Sequence, residues 1–318
     1  MSKKKPNPVG RRIRPKNKKQ LQEYLATYFN LEVPAIAICE EHQSPLDYAW
    51  YAFSADYKKP TPLNADCIVW ANRGGGKTKL AAALTLLDCI FKPNCQCRIL
   101  SGSGDQAGRM FDYFIEFIAG GFEDLTCGRI TKTICCFKNK SQVEVLKQSE
   151  TSVRSHHVHK VRCDEVELFS QKVFDAAKFT TQSTVEIVGA FEVISTMNTS
   201  SGIMRKIIRQ AEKIKEEILK QKASPRNPES LMSVIVPTPL LTWCLWDVIE
   251  KCVDRNCKTC PLFPDCQGKA KKGTGFYKIN DAISQQQRSP RRNWVYEMLC
   301  NPDTKSGKSY MQVKERRY

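Results

Sequence analysis

The sequence predicts an α/β fold: a mainly parallel sheet flanked by helices, with a cysteine-rich lobe at the C-terminal end. Three observations carry that expectation. Short apolar runs that read as buried strands alternate with longer periodic stretches that read as helices, the order in which parallel strands are joined. The run "CIVWA" ends at Asn-Arg and then three consecutive glycines, and a stretch rich in Ala and Leu follows directly. Beyond residue 225 the character changes, with four cysteines inside fifteen residues and a basic end.

Taken in order, residues 1–19 hold nine Lys/Arg and no acid, and residues 1–20 are expected to be a basic disordered tail. "LQEYLATYFNL" places Leu21, Leu25, Tyr28 and Phe29 at helical spacing, and "SPLDYAWYAFSA" reads as a second helix. "PTPLNADCIVWA" passes from turn residues into a buried strand, and "KTKLAAALTLLDCIF" is strongly helical up to "KPN". A strand in "CQCRILSGS" and a helix in "DQAGRMFDYFIEFIAGG" follow, then a hairpin turning at Lys138-Asn139-Lys140. "VHKVRCDEVELF" and "VEIVGAFEVISTMN" read as strands with polar ends, and "GIMRKIIRQAEKIKEEILKQK" as a long charged helix. Two prolines in "ASPRNPES" mark the boundary between a domain at 21–225 and a cysteine-rich, basic lobe at 226–318.

At 318 residues and 41% hydrophobic content the chain can bury a sizeable core. No run approaches the ~18 apolar residues of a membrane span, and the N-terminus lacks the apolar stretch of a signal peptide, so a cytosolic protein without membrane contact is expected. The net charge of +17 sits at the two ends: residues 268–318 carry twelve Lys/Arg against four acids, while 20–267 balance at 29 and 29. Such ends suit a polyanion, and nucleic acid is the expected partner. Fifteen cysteines in a cytosolic chain are not a disulfide framework, and most lie in apolar runs as small buried residues.

"ANRGGGKT" meets the needs of a phosphate loop, in which backbone N–H groups converge on anionic oxygens at a helix start. Gly74, Gly75 and Gly76 clear that approach, Lys77 would reach the β/γ-phosphates, and Thr78 would hold Mg²⁺ through its hydroxyl. Ala71 stands where the usual pattern has a glycine, which matters only if that position needs φ > 0. The partner carboxylates are expected at Asp164, for Mg²⁺, and Glu165, to activate water. Arg73 adds a cation beside the γ-phosphate and could act as an arginine finger in cis. These features make the expected fold a P-loop NTPase binding ATP and Mg²⁺.

"CVDRNCKTCPLFPDCQG" has the spacing C-x4-C-x2-C-x5-C. Cys252, Cys257, Cys260 and Cys266 could close a tetrahedral Zn²⁺ site, and an iron–sulfur cluster uses the same ligands. Flanking Lys251, Arg255, Lys258, Lys269, Lys271 and Lys272 would present positive charge to DNA. His156, His157 and His159 alternate in direction at a strand entrance, so they do not form one metal site.

The order "ANRGGGKT", "VRCDEVE" and a strand ending "ISTMN" resembles the ATPase half of the large terminase subunit of tailed bacteriophages. The resemblance extends through "EHQSPLDYAWYAF", "FKPNCQCRILSGSGDQAGRMFDYF", "TSVRSHHVHKVRCDE" and the "WCLWDVIEKC" to "CQGKA" segment, roughly residues 35 to 303. It implies a motor that hydrolyses ATP to move double-stranded DNA into proheads. In that motor Lys77 and Thr78 bind ATP and Mg²⁺, Arg73 triggers hydrolysis, and Gln43 reads adenine. Ser195, Thr196 and Asn198 couple hydrolysis to DNA movement. It also implies a portal and prohead, a small terminase subunit, a homo-oligomer in action and the host bacterial cytoplasm. Large terminases usually continue into a nuclease domain. The last fifty residues here hold only Asp281, Glu297, Asp303 and Glu315, too dispersed for a two-metal site, and no DNA cleavage is expected from this chain. Two alternatives remain: another P-loop nucleic-acid motor such as a helicase or recombination ATPase, and a non-hydrolysing, metal-stapled DNA-binding protein.

Overall fold

Helix α1 (Lys18–Phe29) starts where the Asn17 side chain accepts a hydrogen bond from the Gln20 N–H, and it stops at Asn30 in a left-handed conformation (φ 49°). It buries Leu21, Tyr24, Leu25 and Phe29, the apolar face read from the spacing. Helix α2 (Pro45–Ser54) opens with a reciprocal capping box between Ser44 and Asp47 and proline in its first turn. These elements belong to a computed structural model that describes residues 10–301 except 59–61, 63, 103, 147–148, 150–151, 154–157, 200 and 224–237.

Eight strands form one sheet in the order β3-β4-β5-β2-β6-β7-β1-β8. They are β1 (Cys67–Ala71), β2 (Gln96–Ser101), β3 (Thr126–Cys127), β4 (Ile134–Phe137), β5 (Gln142–Val145), β6 (Lys160–Asp164), β7 (Ala190–Ser195) and β8 (Leu240–Trp243). From β5 to β8 every pairing is parallel, and β4 and β3 extend the edge antiparallel. The β4–β5 hairpin turns at the expected residues, with Lys140 at φ 66°. The crossovers include α3 (Lys77–Phe91), α4 (Gly104–Ala119), α5 (Gln171–Ala177) and α6 (Ile203–Ala223). Helices α1 to α4 pack in succession, and α3 and α4 rest on the sheet.

Strands β1, β6 and β7 are buried along their whole length, as central parallel strands should be. Lys160 and Arg162, which interrupt the apolar pattern of β6, are buried too. Arg162 pairs with Asp88 at 2.7 Å and Glu192 at 2.8 Å and donates to the Thr85 hydroxyl. Lys92 pairs with Asp88 and Asp56, both at 2.8 Å, and Tyr48 donates to Glu192. Apart from Lys160, whose Nζ has no hydrogen-bond partner among the described residues, these are paired charges spanning α2, α3, β6 and β7, which is the condition for burying them at all.

Two differences from the expected organisation stand out. Residues 10–20, assigned to a disordered tail, are built into the fold: Arg11 pairs with Asp124, Arg14 with Asp56, and Arg14 lies 4.2 Å from the Tyr57 ring centroid. Strand β8, from the segment assigned to the separate lobe, is hydrogen-bonded to β1 with Ala71 opposite Trp243. The boundary stretch "ASPRNPES" falls almost wholly outside the described residues, as do His156 and His157. After β8 the chain forms helical turns around the cysteine cluster, helix α7 (Ile279–Arg288) and a π-helical turn at Trp294–Met298.

Candidate active site

Residues 72–76 connect β1 to α3 and form the loop at the end of the sheet. Ala71 is the last residue of β1, fully buried and without positive φ, so alanine costs nothing there. The positive φ values fall on Gly74 (72°) and Gly76 (77°), where any other side chain would be strained. Gly75 is required for a different reason: a Cβ there would overlap Asn72 Oδ1 and sit 2.9 Å from the Asn72 carbonyl oxygen.

The loop is held from outside as well. Trp243 Nε1 donates to the Gly75 carbonyl, and Asn72 N–H donates to the Trp243 carbonyl. Phe276 and Tyr277 pack over Gly76 and Gly74, within 3.1 and 2.8 Å of where a Cβ would stand. Arg73 is engaged by Glu297, through its backbone N–H at 2.8 Å and through Nε at 3.0 Å. None of these partners was foreseen. They come from residues 243–297, and nothing in the local spacing around the glycines announces them.

Beneath the loop the expected cation and acids do meet. Lys77 Nζ lies 2.9 Å from Glu165 Oε1, and the Thr78 hydroxyl donates to Asp164 Oδ2 at 2.9 Å. Asp164 ends β6 and is almost fully buried; its Oδ1 has no hydrogen-bond partner. Burial pushes its carboxyl up to about 6, and the Glu165 charge adds to that, while the Lys77 charge opposes it. A buried acceptor without a donor beside a helix-start hydroxyl fits a hydrated divalent cation, so Thr78 and Asp164 suit Mg²⁺. Glu165 takes a left-handed backbone (φ 54°, ψ 52°), uncommon outside glycine, held by its N–H to the Ile194 carbonyl at 2.9 Å.

The end of β7 reaches the same place. Thr196 donates to Glu165 Oε2 at 3.3 Å, and the Ser195 hydroxyl is spent on the Thr196 carbonyl at 2.9 Å. Asn198 follows, half-buried. Gln43 is tethered to β8, its Oε1 accepting from Thr242 N–H and its own N–H donating to the Thr242 carbonyl. It lines a cleft of about 1160 Å³ together with Trp70, Thr242, Lys269, Lys272 and Arg291.

Cys252, Cys257, Cys260 and Cys266 all line one cavity of about 20 Å³, with Leu262 and Phe263. Cys266 Sγ accepts a hydrogen bond from Ala270 N–H. Among the described residues one group of His, Cys and Asp side chains gathers its donor atoms within 4.8 Å, and it lies elsewhere. His159 accepts from Gln96 N–H, a packing role.

No protein-family model matches the chain, and no curated protein matches it in sequence. Solved structures do. The large terminase of bacteriophage HK97 is similar at a TM-score of 0.54 and 14% identity, covering 84% of this chain and 52% of that one. The ATPase domain of the Thermus phage P74-26 large terminase gives 0.48 and 13%, covering 81% of this chain and 98% of that one. The large terminase of another thermophilic bacteriophage, solved in complex with ADP, gives 0.38 and 11% over 61% of this chain and 44% of that one. The fold of this chain, with its phosphate loop and mainly parallel sheet, is that of the ATPase portion of phage large terminase subunits.

Proposed function

We propose that the chain is an ATP-hydrolysing motor subunit of the large-terminase type that moves double-stranded DNA into phage proheads. One observation carries the ATPase reading: the Lys77–Glu165 and Thr78–Asp164 contacts join the phosphate loop to the acidic end of β6, with Asp164 Oδ1 left for a cation. The N–H groups of the glycine loop and the start of α3 bind the phosphates, and Thr78 and Asp164 would hold Mg²⁺, whose charge would neutralise that on the phosphate oxygens. Lys77 leaves Glu165 for the phosphates, and Glu165, freed of its cation, accepts the proton of the attacking water. Arg73 exchanges Glu297 for the transferring phosphoryl group. Thr196 touches the base directly, so the end of β7 senses whether Glu165 is engaged, and Ser195 and Asn198 belong to the same coupling segment. Gln43, fixed on β8, is assigned to the adenine.

DNA, a portal and prohead, a small terminase subunit, a homo-oligomeric state and the host bacterial cytoplasm are part of this reading, supported by the sequence resemblance and the basic ends. Among the described residues no helix is long and apolar enough to cross a membrane. Residues 10–225 with β8 form the motor, and the segment beyond β8 carries a second element, Cys252, Cys257, Cys260 and Cys266 around one small cavity, which zinc or an iron–sulfur cluster would staple once the thiols close on it. The test is DNA-stimulated ATP hydrolysis by the purified chain and by Lys77→Ala and Glu165→Gln variants. Both variants should lose hydrolysis, and Glu165→Gln should retain ATP binding. Unchanged turnover in either would remove the assignment.

A further inference from the structure

Two short motifs 205 residues apart meet where β8 ends. Cys39 and His42 have the spacing C-x2-H in the segment before α2, and Cys244 and Asp247 have the spacing C-x2-D in the helical turn Leu245–Val248. Their donor atoms all lie within 4.8 Å of one another. The two sulfurs are 3.5 Å apart, and His42 Nδ1 is 2.6 Å from Asp247 Oδ2. Cys244 and Asp247 are buried, Cys39 is half-buried, and the His42 side chain is 17% exposed, which leaves a way in from the surface.

We propose that Cys39, His42, Cys244 and Asp247 form a metal site of the zinc class that clamps the segment ahead of α2 onto the end of β8. Two thiolates, an imidazole and a carboxylate are the borderline-soft set that zinc takes tetrahedrally. Bonds of ~2.3 Å to sulfur and ~2.0 Å to nitrogen and oxygen, at tetrahedral angles, place the sulfurs ~3.8 Å apart and the nitrogen and oxygen ~3.3 Å apart. The observed separations reach those values by an outward movement of well under 1 Å per side chain. On ligation the two thiols release their protons to solvent, and the imidazole carries its proton on Nε2, so that Nδ1 offers its lone pair.

The surroundings are built to orient these ligands. Asp247 Oδ1 accepts from the N–H groups of Ile38 and Cys39 at 2.7 and 2.9 Å, and Oδ2 from Cys244 N–H at 2.8 Å. Such outer contacts fix a coordinating carboxylate. The turn between Cys39 and His42 is closed by His42 N–H to the Cys39 carbonyl at 3.3 Å. Gln43, next in sequence, is pinned to Thr242 by two hydrogen bonds, so the clamp also fixes where Gln43 sits. The site stands independently of whether the chain hydrolyses ATP.

The experiment uses the full chain, reduced and stripped with chelator, then loaded with Zn²⁺ or Co²⁺. Carrying Cys257→Ser and Cys260→Ser keeps the other cysteine cluster out of the measurement. This background should retain an equivalent of zinc, and its cobalt form should show tetrahedral d–d bands with thiolate charge transfer. Adding Cys39→Ser or the partly exposed His42→Ala should remove both signals while circular dichroism stays the same. On the unsubstituted chain, zinc should slow alkylation of Cys39 by N-ethylmaleimide at least tenfold, read by peptide mass. Zinc content indifferent to both substitutions, an alkylation rate unchanged by zinc, or a Cys39–Cys244 disulfide formed in preference to metal uptake would overturn the proposal.

Discussion

Arg73 shows how little a residue's stability role says about its chemistry. Its side chain is 67% exposed and its pairing with Glu297 is largely screened by water. Replacing it with alanine should leave the melting temperature nearly unchanged. If it serves the transferring phosphoryl group, the same substitution should lower hydrolysis by about 10³- to 10⁵-fold. Glu297→Gln separates the two roles: it frees Arg73 and should preserve or raise turnover. A matching loss in both variants would instead mark the ion pair as structural. That Lys77 and Thr78 meet Glu165 and Asp164 was legible in sequence, because the glycine run opens a helix next to a buried strand and the acids close another. Glu297, Trp243, Phe276 and Tyr277 were not, because packing from a distant segment leaves no local period.

At the scale of elements, α3 was read to the residue, since its alanine-rich run is bounded by the glycines and "KPN". Strand β8 was missed, because its four residues follow a stretch without alternation and a sheet edge needs no long apolar run. Strand β6 was found despite two cations, and for Arg162 the structure supplies the reason in Asp88 and Glu192. Arg162→Met should destabilise the fold by about 3–5 kcal/mol, since it leaves Asp88 and Glu192 buried with reduced compensation. Burial would raise the Asp88 carboxyl, but the Lys92 and Arg162 charges outweigh it and hold Asp88 below the ordinary carboxylate range. Its contribution is therefore complete above about pH 4, the unfolded value, and is lost as pH falls toward the folded one. In Arg162→Met the acid-unfolding midpoint, followed by circular dichroism, should move to higher pH. An unshifted midpoint would mean that Lys92 alone keeps Asp88 charged.

For the whole molecule, the excess of positive charge lies at the ends, and part of it is already spent within the fold on Asp124 and Asp56. Lys251, Arg255 and Lys258 are exposed beside the cysteine cluster and are free of carboxylate partners among the described residues. Replacing Lys251 and Lys258 by alanine should weaken duplex binding to a similar extent across sequences and reduce the log–log salt slope by roughly 2, from ~0.9 per phosphate contact. A slope equal to that of the parent chain would place the DNA on another face.

The hold of Trp243 and Glu297 on the phosphate loop has a consequence for biosynthesis. Loop residues 72–76 leave the ribosome long before the residues that fix their shape, and β1 waits for β8 across some of the longest sequence separations in the sheet. A nascent chain halted before residue 240 would carry every residue of the glycine loop, yet lack the clasp that shapes it. On the proposed ATPase function, capture of ATP by stalled chains of increasing length should therefore begin only once the last strand can dock, which would make loading with nucleotide a late event in synthesis.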